Sequence, residues 1–152
     1  MFLKLDKTFR VVFELSKRIE NEPSYMELIQ SVTLDQSKPH IGLRGNNGLF
    51  GSDAWWENIK RNVIKNHIIE GKIIRLYKSG QDSLKANNSF DLLLSDGSVW
   101  SESIYVNNYM DSSLFKVGST VFIFYVHDER KPQFDGSITY SNTVIEMAVS
   151  IS

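Results

Sequence analysis

Four glycines recur at every third position, Gly42, Gly45, Gly48 and Gly51, and the pair Trp55-Trp56 follows almost at once. A glycine loop in front of a helix has the makings of an anion site, because free backbone N–H groups at a helix start favour negative charge. Arg44 lies nearby in sequence. A Walker loop, however, requires lysine and then a hydroxyl residue directly after its last glycine. Here Ser52 follows Gly51, and no lysine lies between Gly45 and Gly51. The dinucleotide fingerprint needs another glycine spacing and a parallel strand–helix–strand unit. The stretch therefore reads as a set of turns that aims the next helix, with anion binding as the alternative.

Other chemistry finds little support in residue spacing. The three histidines, His40, His67 and His127, lack the tight spacing of a metal-binding helix. With no cysteine in the chain, a metal site would require His127 to converge with Asp128, Glu129 or Asp135. No serine sits in a nucleophile elbow. No metal and no cofactor is expected, and a hydrolase with an unrecognised site stays as a third functional reading.

The elements that would position these residues read as mainly β, with some helix. Residues 9–16 are β-branched and apolar and form a strand; residues 21–23 turn the chain. Ser24 with Glu27 three residues on has capping-box spacing for a short helix, and Ser31 to Leu34 look extended. Pairing of this whole segment with residues 9–16 is the rival. Ser52 or Asp53 N-caps a helix of about three turns, with Trp55, Ile59 and Val63 on its apolar stripe. From Ile68 the pattern is β. A strand with Gly71 inside it suggests a bulge or tight bend. A hairpin follows around Asp96-Gly97, read as type I′. A strand apolar on both faces, Val121 to Val126, demands cover on two sides, and a closing strand ends the chain. The linear plan is a single domain: residues 1–52 as an N-terminal extension and glycine-rich joint, 53–66 as a helix, 67–152 as a barrel.

Composition sets outer limits. With 152 residues, 41% of them apolar, the chain is long enough for a hydrophobic core. Nothing approaches the roughly 18 apolar residues that a membrane helix needs, so a cytoplasmic protein is expected. Net charge is −1, with no basic stripe of the kind that grips duplex DNA. Residues 67–152 carry seven basic against ten acidic residues, which suits a basic partner.

The order of elements from "EGKIIRLY" through the Asp-Gly hairpin to "VGSTVFIFYV" resembles the oligonucleotide/oligosaccharide-binding (OB) barrel. That resemblance implies five strands and a ligand face on the second and third of them. Phe90, Trp100 and Tyr105 would then stack on bases, and Lys78, Lys85, Arg130 and Lys131 would meet phosphates. Asp91 and Glu102 on those strands oppose this reading. "GLFGSDAWWENIK" followed by "EGKIIRLY" resembles small bacterial proteins of the immunity or antitoxin type. This second resemblance implies a non-enzymatic module that binds another protein, a toxin with a basic face. Asp111, Asp128, Glu129 and Asp135 are its expected acidic contacts, with Arg44, Asn46, Asn47 and Trp56 around the glycine loop. Single-stranded nucleic acid is the alternative partner.

Overall fold

The computed structural model describes residues 1–80 and 87–151. Its elements run β1 (Phe9–Glu14), α1 (Leu15–Asn21), α2 (Pro23–Leu34), α3 (Asp53–Lys60), β2 (Lys65–Tyr77), β3 (Ser89–Leu94), β4 (Val99–Ser103), β5 (Thr120–His127) and β6 (Thr143–Ser150). The mainly β expectation holds. The strands form one open antiparallel sheet in the order β1-β6-β5-β2-β3-β4. This replaces the five-stranded OB barrel. The N-terminal segment supplies a sixth strand, which pairs with β6 from Phe9–Ser150 to Glu14–Glu146.

By Cα proximity the chain divides into two compact units. The first comprises Met1–Glu14, Ile68–Phe124 and Glu146–Ser152. Its core includes Val12, Phe13, Ile73, Phe90, Leu92, Val121 and Met147. Gly71 does not form the bulge itself; the register of β2 on β3 shifts between Ile73 and Arg75. A Cβ at Gly71 would lie 2.8 Å from the Leu92 Cβ, so glycine lets the two strands close up. At the hairpin, the Gly97 N–H donates to the Leu94 carbonyl and the Leu94 N–H to Ser98. Only Gly97 takes positive φ there, so the link is a three-residue loop, not a type I′ turn. Asn107 ties the stretch after β4 to β1. Its N–H donates to the Val12 carbonyl, its Nδ2 to the Glu14 carbonyl, and its Oδ1 accepts from the Glu14 N–H. Glu146, buried on β6, accepts hydrogen bonds from the Phe2 and Leu3 amides.

The second unit comprises Leu15–His67 and Tyr125–Ile145. The strand expected over residues 9–16 stops two residues early, because Leu15 and Ile19 share a helical face and open α1. Pro23 at the first position of α2 sets its start, displacing Ser24 from the capping position. α2 then continues to Leu34, correcting the extended reading of residues 31–34. Tyr25, Ile29 and Val32 line one half-buried face, and this packing outweighs the β preference of Val32 and Thr33.

Ser52 caps α3 as expected, its hydroxyl accepting from the Trp55 N–H at 3.2 Å. The helix is shorter than the sequence suggests. Asn62, at φ 59°, stops it, with the Val63 N–H on the Asn58 carbonyl and the Asn62 N–H on Ile59. Those paired bonds are a Schellman ending. Val63 is thereby turned out to solvent, and Ile64 is buried in its stead.

Candidate functional site

In the second unit the glycine-rich loop lies against two helices. Gly42, Gly45, Gly48 and Gly51 all have positive φ. A Cβ on them would meet Val32 at 2.7 Å, Thr33 at 2.8 Å, the Trp55 backbone nitrogen at 2.8 Å and Met26 at 2.7 Å. Three of the four thus seat the loop on α2, and Gly48 seats it on the first turn of α3. The Gln30 side chain donates to the Phe50 carbonyl and Asn58 donates to that of Asn47, pinning the loop from each helix. The rhythm of glycines is a packing device.

The loop's first residues form a platform with residues 129–132. The Arg44 N–H donates to the Glu129 carbonyl, the Lys131 N–H to Gly42, and His40 Nδ1 to the Pro132 carbonyl at 2.7 Å. On the other side the Arg130 N–H donates to Thr139, and Glu129 bridges Tyr140. Residues 129–140 are therefore a small hairpin zipped to the glycine loop. Its turn is closed by Gly136 N–H to the Gln133 carbonyl and by Ser137 N–H to the Asp135 carboxylate. Phe134 stands at the tip, 91% exposed. An apolar groove of about 390 Å³ opens between α2 and this platform, lined by Tyr25, Leu28, Val32 and Phe50 with Arg130 among its walls.

The sequence-predicted contact residues meet different fates. Asp128 is buried, at 1% exposure, and accepts the Trp55 indole N–H at 2.9 Å; its other oxygen has no hydrogen-bond partner among the described residues. Burial raises its carboxyl above the ordinary range, with the indole bond opposing. This removes Asp128 from the surface set, since it is a support for Trp55. Glu129 pairs with Arg44 at 2.6 Å. Asn46 is exposed, Asn47 is half-buried, and Trp56 is half-buried with its ring edge-on to Trp55 at 5.0 Å. Asp135 is exposed at the hairpin tip, and hydrogen bonds from Ser137 hold its carboxyl below the usual range. In the first unit, Asp111 pairs with Arg10 at 3.2 Å.

Among the alternative nucleic-acid set, Phe90 is 0% exposed and cannot stack on a base. Trp100 is half-buried, as is Tyr105, whose ring meets Phe13 edge-on at 5.2 Å. Lys78 and Arg130 are exposed, and Lys85 lies outside the described residues. Lys131 is committed elsewhere. Its Nζ donates to the carbonyls of Val32, Asp35 and Lys38 at 2.7, 3.3 and 2.9 Å, capping the end of α2. The exposed Phe134 does not stand out in the sequence, because "ERKPQFDGS" reads as a polar loop. Its signal was the Asp135-Gly136 pair, the same dipeptide that marks the 96–97 hairpin.

His127 meets another histidine instead of a carboxylate. His127 Nδ1 donates to the Ser141 carbonyl at 3.0 Å, so its Nε2 is left to accept from His67 Nδ1 at 2.5 Å. The rings stack at 4.6 Å, with Tyr125 on His67 at 5.6 Å. Burial, and next the neighbouring His127, lower the pKa of His67 below the ordinary 6.5. Below that value the unfolded chain binds more protons than the folded one, so this contribution is complete above about pH 6.5 and is lost as pH falls through the folded pKa. Urea midpoints are expected to drop between about pH 7 and about pH 5.5, with a shallower drop in His67→Phe. Equal slopes for the two proteins would show that the pair is not the source.

A family model described as "Immunity protein RhsI2" matches residues 9–150, nearly the whole chain. No curated protein matches the sequence.

Proposed function

The chain belongs to the RhsI2 immunity-protein family, and we propose from that membership that it neutralises a protein toxin stoichiometrically, by occluding it, without chemistry of its own. The observation that carries this reading is the extent of the match, which runs from β1 through β6. Cytoplasmic action belongs to the proposal. No helix of the described residues is long and apolar enough to cross a membrane.

The toxin face it covers is basic in this proposal. In the second unit Asp135 is the supporting carboxylate, with Glu129 held by Arg44 and with Asn46, Asn47 and Trp56 as further polar and aromatic positions of that unit; in the first unit it is Asp111. Charge of this kind governs encounter rate more than final affinity. The test is co-expression with the product of each gene adjacent to this one, followed by titration of the pair in which toxicity is relieved. Survival of the cells and a one-to-one complex are expected; a toxin that stays active in excess of this chain would overturn the reading. In stopped-flow mixing, Asp111→Ser with Asp135→Ser should slow association about tenfold at low salt and far less at high salt. An unchanged rate would sink the basic-partner part alone.

A further inference from the structure

We propose that Phe134 is the anchor of the toxin interface: the hairpin 129–140 presents its ring to an apolar pocket with a cationic rim on the toxin. This rests on the immunity reading and locates the contact.

Exposure alone would not carry the inference, since single surface apolar residues are ordinary. What matters is how firmly an exposed ring is held out. The turn is fixed by Gly136 at φ 81° and by the Gln133–Gly136 and Asp135–Ser137 hydrogen bonds. One flank of the hairpin is zipped to Gly42–Arg44 and the other closes on Thr139 and Tyr140. The Lys131 ammonium binds the end of α2, and the His40 ring packs against Phe134 at 4.1 Å. Rigid aromatic side chains on ordered turns bind with little entropic loss, and such anchors dominate interface energetics. Ile138 and Tyr140, at the same hairpin, are exposed too.

The chemistry of the occupant follows from the tip. Asp135 is its ionised group, while Arg130 and Lys131 lie at the base and Lys131 is already engaged. An acidic residue beside the ring calls for a cationic rim and disfavours an anionic lipid surface. A second copy of this chain does offer an apolar groove with Arg130 in its wall. Seating Phe134 there is a head-to-tail contact that propagates unless its rotation closes a ring, so the toxin is the favoured occupant.

The experiment uses the full chain and the purified toxin that the co-expression test identifies. Phe134→Ala and Phe134→Asp should weaken the complex about 30-fold or more, with the unfolding midpoint unchanged because the ring is exposed. Phe134→Trp should retain affinity, and its emission should shift blue on adding toxin. If wild type binds and Phe134→Ala binds within twofold of it, the anchor is overturned while the immunity reading stands. If wild type does not bind, both fail. A blue shift of Phe134→Trp with phosphatidylcholine–phosphatidylglycerol vesicles but not with toxin would assign the ring to lipid. A Phe134-dependent dimer in sedimentation, with toxin affinity unaffected, would assign it to self-association. Either result overturns the proposal.

Discussion

Replacing Trp55 by alanine is expected to remove most of the stability of the protein. Trp55 is 0% exposed, packed against Phe50 at 4.8 Å and Trp56 at 5.0 Å. Truncating a buried tryptophan costs about 3–5 kcal/mol through lost burial and the cavity left behind. The indole N–H is also the hydrogen-bond donor to Asp128, whose second oxygen has no hydrogen-bond partner among the described residues. Stranding a buried acceptor adds roughly 1–3 kcal/mol, more when it is charged. The sum falls within the range of total stability of an ordinary domain, about 5–15 kcal/mol. Thermal unfolding should therefore drop by more than about 10 °C, if Trp55→Ala folds at all. A double-mutant cycle separates the two contributions. Trp55→Phe keeps most of the packing and strands Asp128, and adding Asp128→Ala should recover part of the loss. Strict additivity would mean that the indole–carboxylate bond contributes nothing.

Gly48→Ala should be the most damaging change in the glycine-rich loop, at about 3 kcal/mol or more. Two costs combine. The residue has φ 96°, where a side chain is strained. The new Cβ would also lie 2.8 Å from the Trp55 nitrogen, 3.1 Å from its Cα and 3.2 Å from the Ala54 carbonyl carbon. These are backbone atoms in the capped first turn of α3, so relief requires moving the helix that carries Trp55. Gly97→Ala isolates the first cost, because φ is 85° there and a Cβ meets nothing within 4 Å. About 1–2 kcal/mol is expected for it. Urea denaturation of both variants decides the matter; equal losses would mean that the close approach to α3 is relieved without cost.

How far these features could be read in advance depends on the range of the interaction behind them. Ser52 as a helix cap, the Asp96-Gly97 hairpin and the doubly covered strand Val121–Val126 rest on neighbours in sequence, and all three stand in the structure. The end of α2 did not read correctly, because Val32 and Thr33 favour strand locally and only the glycine loop laid over them makes helix the better state. The open sheet was likewise invisible, since nothing in "FRVVFELS" names β6 as its partner. At the site, Asp128 and Glu129 are adjacent and alike in sequence. Yet one is buried under an indole and the other is in a half-exposed ion pair, a difference set by Trp55 and Arg44 far away along the chain. Phe134 was concealed by the polar company of its loop.

The pairing of β1 with β6 has a consequence for how the chain comes into being. The amides of Phe2 and Leu3 close on Glu146, 144 and 143 residues later, and Phe9 pairs with Ser150. During synthesis β1 must wait, without its strand partner, until β6 has emerged, whereas β2, β3 and β4 can pair among themselves well before that. Contacts of such long sequence separation also close slowly. A chain that stops short of β6 therefore leaves β1 without its partner strand.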